Sequence, residues 1–170
     1  IPVETHMATS FFRRFFLPQL TSRFLLRVTV LAVITVLIFT HVLVPLRIEG
    51  QSMEPTYKDG SFTFCWRGRY LFSNPGHGDV VAIRFAGRQV VLLKRIIALA
   101  GETVEFRDGV LLVNGRQVEE PYISRPFPWN LPPRKVEPGN VYVVGDNRSV
   151  PLERHHMGQV DIQRILGGVF

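Results

Sequence analysis

From Val28 to Val44 the chain carries no charged side chain, and Phe24, Leu25 and Leu26 extend the apolar surface back past Arg27. A helix needs about 20 such residues to cross a bilayer, where each backbone polar group must find its partner inside the helix. Three structures can absorb such a run: a retained membrane anchor, a buried core helix, or a cleavable signal peptide. A domain of this size seldom hides so long an uncharged helix, although Thr29, Thr35, Thr40 and His41 add polar atoms along it. Val42-Leu43-Val44-Pro45-Leu46 offers no small-x-small cleavage site after the basic Arg13 and Arg14. The sequence therefore divides into an N-terminal segment over 1–23, a transmembrane anchor over 24–45 and a domain over 46–170. Arg13, Arg14, Arg23 and Arg27 precede the anchor, while Arg47 and Lys58 follow it. That excess places the N-terminus in the cytoplasm and the domain on the outer face of the membrane. No later stretch is apolar enough to recross, which makes the expected topology single-pass.

Beyond the anchor the apolar period changes to two, and turn residues punctuate short runs. The expected fold class is mainly β, an antiparallel sheet domain. Phe62, Phe64 and Trp66 alternate along one strand. Val80-Val81-Ala82-Ile83 and Gln89 to Ile97 read as a hairpin joined through Ala86-Gly87-Arg88. Asp108-Gly109 and Asn114-Gly115 read as two-residue hairpin turns, with further strands at Val141 to Val144 and Ile165 to Phe170. The prolines at 121, 126, 128, 132, 133 and 138 make 119–139 read as an irregular flap, whose Phe127 and Trp129 would cover a groove or dip into lipid.

Charge and cysteine usage narrow the functional classes. The net charge of +6 is carried mostly by scattered arginines, with no recognition helix and no zinc spacing, so nucleic acid is not an expected partner. A basic domain beside anionic headgroups explains the charge more simply. Cys65 is the only cysteine and lies among Phe62, Phe64 and Trp66, which suits packing better than nucleophilic chemistry. No metal or cofactor is expected, since no His/Cys/Asp/Glu group has ligand spacing. The chain has only three lysines, and Lys94 lies inside Val90-Val91-Leu92-Leu93-Lys94-Arg95-Ile96-Ile97. An ammonium buried there tends to lose its proton, and a neutral amine can deprotonate a serine. Ser52, in Gln51-Ser52-Met53-Glu54-Pro55-Thr56, is the matching candidate nucleophile.

Four segments occur in order behind the apolar run: Ile48 to Thr56, Gly78-Asp79-Val80-Val81, Leu93-Lys94-Arg95-Ile96-Ile97 through Glu102, and Gly145-Asp146-Asn147-Arg148. This pattern resembles the type I signal peptidase family, of the single-span bacterial kind, from the anchor almost to the end of the chain. The resemblance implies a membrane-bound serine endopeptidase of the bacterial inner membrane that removes signal peptides from exported preproteins after small-x-small motifs. Ser52 would be the nucleophile and Lys94 the general base. The Ser52 backbone N–H would serve as oxyanion donor, with Gly50 standing where some relatives carry a second, hydroxyl donor. Gln51, Met53, Ile48 and Gly50 would line one side of the substrate groove, and Val81 and Ile83 the other. Asp146, Asn147, Arg148 and Ser149 would support the site. The partners implied are preprotein signal peptides and the lipid bilayer, with the secretion channel as a candidate neighbour.

The last motif departs from the family pattern. The position where a lysine-orienting serine is expected is Pro151, leaving Ser149 as a shifted substitute, and Glu153 and Arg154 are expected to join Asp146 and Arg148 in ion pairs. Two rival readings stay open at this point. One is a Ser/His/Asp triad using His155 or His156 with Asp146. The other is a catalytically impaired, membrane-tethered adaptor that binds signal sequences without cutting them.

Overall fold

The computed structural model describes residues 21–85, 90–124 and 126–170. The described residues fall into two compact units, divided between Thr40 and His41. In the first, Thr21 caps helix α1 (Ser22–Leu37) by accepting from the Phe24 N–H, and a π-helical turn, Ile38–Val42, continues it. The apolar helical stretch Ser22–Val42 has a mean hydropathy of 2.2 and none of it is buried, so it is long and apolar enough to cross a membrane. Thr35 and Thr40 spend their hydroxyls on the carbonyls one turn back, at 2.8 and 2.7 Å, so they are satisfied within the helix.

The second unit is antiparallel β throughout. A seven-stranded sheet runs in the order β1 (Leu43–Arg47), β2 (Phe62–Trp66), β11 (Ile165–Val169), β3 (Val80–Phe85), β4 (Val90–Ala98), β9 (Asn140–Val144), β10 (Gly158–Asp161). A four-stranded sheet runs β7 (Arg116–Gln117), β6 (Val110–Val113), β5 (Thr103–Arg107), β8 (Leu131–Lys135). Leu43, Val44 and Pro45, expected at the end of the anchor, instead pair with Trp66, Cys65 and Phe64. A β-branched and aliphatic run suits either setting, and the hydrogen-bonding edge of β2 decides in favour of a strand.

Two apolar clusters hold this unit. Ile97, Val104, Phe106, Leu111, Trp129 and Val144 belong to the first, and Val81, Ile83, Ile96, Val141 and Val143 form the second. The two hairpin turns form as expected: Asp108 and Gly109 take φ of 48° and 82°, Asn114 and Gly115 of 54° and 75°. The alternation in β2 is also present, but the aromatics face outward while Thr63 and Cys65 are buried. Cys65 is a packed core residue whose thiol pKa is pushed up by burial.

The proline-rich stretch is irregular over its described residues from 119 to 130, but its later part corrects the expectation of a flap. Leu131–Lys135, with Pro132 and Pro133, pairs with β5 as an edge strand, where a missing N–H can face away from the ladder. Trp129 is 2 % exposed, donates its indole N–H to the Val150 carbonyl at 2.7 Å and meets Phe106 edge-on. It is core, and reaches neither lipid nor groove. Ala86-Gly87-Arg88 lies outside the described residues.

Candidate active site

Ser52 sits on the loop between β1 and β2. Ile48 N–H to the Ser61 carbonyl and Gly60 N–H to the Ile48 carbonyl, at 2.8 and 2.9 Å, close the base of that loop. Gly50 turns it at φ +91°, a conformation that other residues adopt only with strain, and its N–H donates to Asp59 Oδ1 at 2.9 Å. Met53, 1 % exposed, anchors the loop in the core, and Ser52 itself is exposed. Asn147 then clamps the loop from outside, donating its N–H to the Ser52 carbonyl at 3.1 Å and its Nδ2 to the Gln51 carbonyl at 2.9 Å.

Lys94 stands on β4 directly across from Val81 of β3, so its side chain shares a sheet face with Val81 and Ile96, both fully buried. The β4–β9 register pairs Arg95 with Val144. Carried one residue further, it sets Gly145 beside Lys94 on the same face. A Cβ on Gly145 would collide with the Ser52 carbonyl oxygen and lie 3.0 Å from His155 Cε1. Only a glycine lets the Ser52 loop lie down on the strand next to the lysine. Gly145→Ala is therefore expected to push Ser52 off the lysine's face and to lower kcat/KM by about 100-fold, the cost of roughly an ångström of misplacement, with far-ultraviolet circular dichroism unchanged.

Lys94 is 3 % exposed. Burial holds its amine down from the ordinary 10.5 to about 8, with the Asp146 carboxylate pulling part of the way back. Lys94, Leu92, Ile83, Val143, His156 and Met157 enclose a cavity of about 220 Å³. A second cleft of about 310 Å³ opens beside Ser52, lined by Ile48, Glu49, Gly50, Met53 and the β4 residues Val91 to Leu93. Among the described residues, no hydrogen bond joins the Ser52 hydroxyl to the Lys94 amine, and the two line separate clefts.

The cleft beside Ser52 is lined by β4 and not by β3. Val81 and Ile83 are paired on both sides, to Lys94 and Leu92 of β4 and to Gly168 and Ile165 of β11, and both are buried. A strand with two partners has no edge to offer. In β4, by contrast, pairing to β9 begins only at Arg95, so the segment from Val91 to Leu93 keeps one open edge beside Ser52.

The supporting residues are held by partners that the sequence did not reveal. Asp146, 1 % exposed, accepts from Arg95 Nε at 2.9 Å and NH2 at 2.6 Å, and from Thr56 Oγ1 at 2.5 Å. Arg95 also donates to the Gly78 carbonyl and lies 3.9 Å over the Tyr122 ring. Arg148 is buried, bonds Glu120 at 2.6 and 3.2 Å, and donates to the Gly145 carbonyl at 3.0 Å. Glu153 and Arg154 are exposed and join neither pair. Ser149 donates its hydroxyl to Asn147 Oδ1 at 2.6 Å, so it stiffens the loop and does not reach Lys94. The partnerships of Arg95 and Thr56 with Asp146, of Glu120 with Arg148 and of Trp129 with Val150 were not legible in the sequence because each spans more than 20 residues of chain.

The triad arrangement is absent. The Asp146 carboxylate is taken up by Arg95 and Thr56, while His155 Nε2 lies 2.8 Å from the Asn147 carbonyl and its ring meets Trp129 edge-on at 4.7 Å. His156 is exposed. Among the described residues no group of His, Cys, Asp and Glu could hold a metal ion.

Known proteins resemble this chain over most of its length. The family described as "Signal peptidase, peptidase S26" matches residues 21–170. Signal peptidase I of Bacillus licheniformis is 32 % identical over 151 residues, covering 82 % of this chain and 81 % of that one. Signal peptidase I T of Bacillus subtilis (strain 168) is 33 % identical over 150 residues, covering 81 % and 78 %. The crystal structure of a signal peptidase I from Enterococcus faecalis V583 is similar at 26 % identity and a TM-score of 0.46, covering 58 % of this chain and 98 % of that one. With the match spanning the apolar helix and the whole β unit, the chain belongs to the signal peptidase family, peptidase S26.

Proposed function

We propose that this protein is a membrane-bound serine endopeptidase that removes N-terminal signal peptides from exported preproteins through a Ser52/Lys94 dyad. The observation that carries the reading is Lys94 itself: an amine 3 % exposed, titrating near 8, on the strand face where the Ser52 loop is seated. In its neutral form Lys94 takes the Ser52 hydroxyl proton as the oxygen attacks the scissile carbonyl. It returns that proton to the leaving amine, then activates the water that releases the acyl group. The Ser52 N–H makes no hydrogen bond among the described residues and is the candidate oxyanion donor.

An extended substrate fits the open edge of β4 from Val91 to Leu93, opposite Ile48 to Gly50, as an added strand. A cleft of this size between two backbones favours small side chains near the cut. The apolar helix Ser22–Val42 is read as the anchor in the bacterial inner membrane, with the arginines before it on the cytoplasmic side. Outward-facing Phe62 and Phe72, 74 % and 99 % exposed, are consistent with a β unit working against lipid. No sequence-specific contact to nucleic acid or a cofactor enters this reading.

The test is cleavage of a preprotein whose signal ends in Ala-x-Ala by the detergent-solubilised protein. Wild type is expected to cut at that site, and Ser52→Ala to leave the substrate intact. Because the base must be unprotonated, kcat/KM should rise tenfold per pH unit below about 8 and level off above it. A flat or falling profile through neutrality contradicts lysine as the base. A folded wild type that binds the preprotein and never cuts it leaves the adaptor reading in its place.

A further inference from the structure

Among the described residues, one side-chain polar atom is buried without a hydrogen-bond partner: Nδ1 of His155. Such atoms are rare because desolvation is not repaid, and each calls for a partner that arrives at another stage. Its position is fixed by packing. The ring is wedged against Trp129 at 4.7 Å between centroids, and Cε1, the carbon bonded to Nδ1, borders the space over Gly145. Gly145 lies in register beside Lys94, so the ring edge at Cε1, between the two nitrogens, borders the face that carries the lysine side chain and the Ser52 carbonyl.

The tautomer follows from the other nitrogen. Nε2 lies 2.8 Å from the Asn147 carbonyl, which can only accept, so Nε2 carries the hydrogen and Nδ1 is left as a bare lone pair. The groups around the ring keep it neutral. Burial dominates, and Lys94 from β4, Arg148 from the loop after β9 and the neighbouring His156 all add positive charge, pushing its pKa down to about 4. The Asp146 carboxylate is engaged by Arg95 and Thr56.

A neutral lysine amine has two N–H donors and one lone pair. To act on Ser52 it must aim the lone pair at the hydroxyl, and an acceptor on its donor side sets that orientation. Pro151 has no side-chain group to do this, and Ser149 is spent on Asn147. We propose that His155 is the positioning residue for Lys94, its Nδ1 accepting a hydrogen bond from the amine in the working site so that the lone pair faces Ser52. This rests on the Ser52/Lys94 reading and adds to it a residue that touches neither substrate nor the reacting oxygen.

The experiment compares His155→Asn with His155→Gln in the full chain, assayed by preprotein cleavage across pH, with Lys94→Ala alongside. Asparagine can place its amide oxygen near the original Nδ1, whereas glutamine reaches toward the Nε2 site and preserves only the bond to Asn147. The expected result is that Asn stays near the wild-type rate. Gln should lose about 10- to 100-fold in kcat at unchanged KM, what a hydrogen bond to the ammonium that forms as Lys94 takes the Ser52 proton is worth. Loss of an acceptor that favours the charged amine should also move the acid limb of the Gln profile to lower pH. Equal loss in both variants, no loss in either, or a deeper loss in Asn than in Gln overturns the proposal. If Lys94→Ala is fully active, the dyad itself fails, a result distinct from any pattern at His155.

Discussion

Lys94→Met is expected to abolish cleavage and at the same time to stabilise the fold. Loss of the proposed general base should lower kcat by about 10³-fold or more, since no other lysine lines its cavity. His155 is closest in kind, and its Nδ1 has a pKa near 4, too weak a base to replace an amine near 8. The stability gain comes from the same burial. Depression from 10.5 to about 8 means that the folded state disfavours the ammonium by about 3 kcal/mol, a cost that an apolar side chain of similar length does not carry. The folded pKa lies below the unfolded one, so the penalty is full below about pH 8, fades between 8 and 10.5, and vanishes above. Urea unfolding of wild type and Lys94→Met at pH 7 and pH 10 checks this: a large gap at the lower pH should shrink at the higher. Equal stabilities at pH 7 would mean that the ammonium is not buried at a cost.

Asp146→Ala should have the largest destabilising effect in the β unit. The carboxylate is 1 % exposed and satisfies two Arg95 nitrogens and the Thr56 hydroxyl, with Arg95 itself 12 % exposed. Removing one partner of a buried pair leaves the other charge uncompensated, which costs about 3–5 kcal/mol. Replacing both, as in Arg95→Met with Asp146→Leu, should recover much of that loss, since the desolvation of two charges is then removed together. Thermal unfolding of the single and double variants measures the difference; additive losses would argue against a buried pair. Asp146 also raises the Lys94 pKa, so an Asp146→Ala protein that still folds should show its acid limb at lower pH.

How much of this could be read from the sequence depended on how local each signal was. Asp108-Gly109 and Asn114-Gly115 force left-handed backbone at adjacent residues, so the hairpins were legible residue by residue. The apolar run and the period-two stretches were equally legible, because burial in lipid or in a half-covered sheet imposes its own spacing. Ser52 and Lys94 stood out by chemistry and by the order of surrounding motifs, and the close approach of the Ser52 carbonyl to Gly145, in register with Lys94, was not legible. What the sequence could not show was pairing. Val81 and Ile83 look the same as Val91 and Leu92 along the chain, and only the sheet order reveals that β3 is enclosed while β4 keeps an open edge. The prolines at 132 and 133 suggested irregularity because an edge strand's free side is invisible without its neighbour. His155 was legible only as a possible triad member, since its role depends on a carbonyl and a tryptophan brought in by folding.

The proposed mechanism depends on a lysine amine whose pKa burial holds down to about 8, so that a useful fraction of it is unprotonated near physiological pH. With three lysines in the chain, selective ¹³Cε labelling and NMR titration can follow each, and Lys94→Arg assigns the signal. The account predicts one lysine titrating near 8 and absent from the variant, with Lys58 and Lys135 giving the other two signals. A Lys94 signal that titrates above 10, as a solvated amine does, would contradict it.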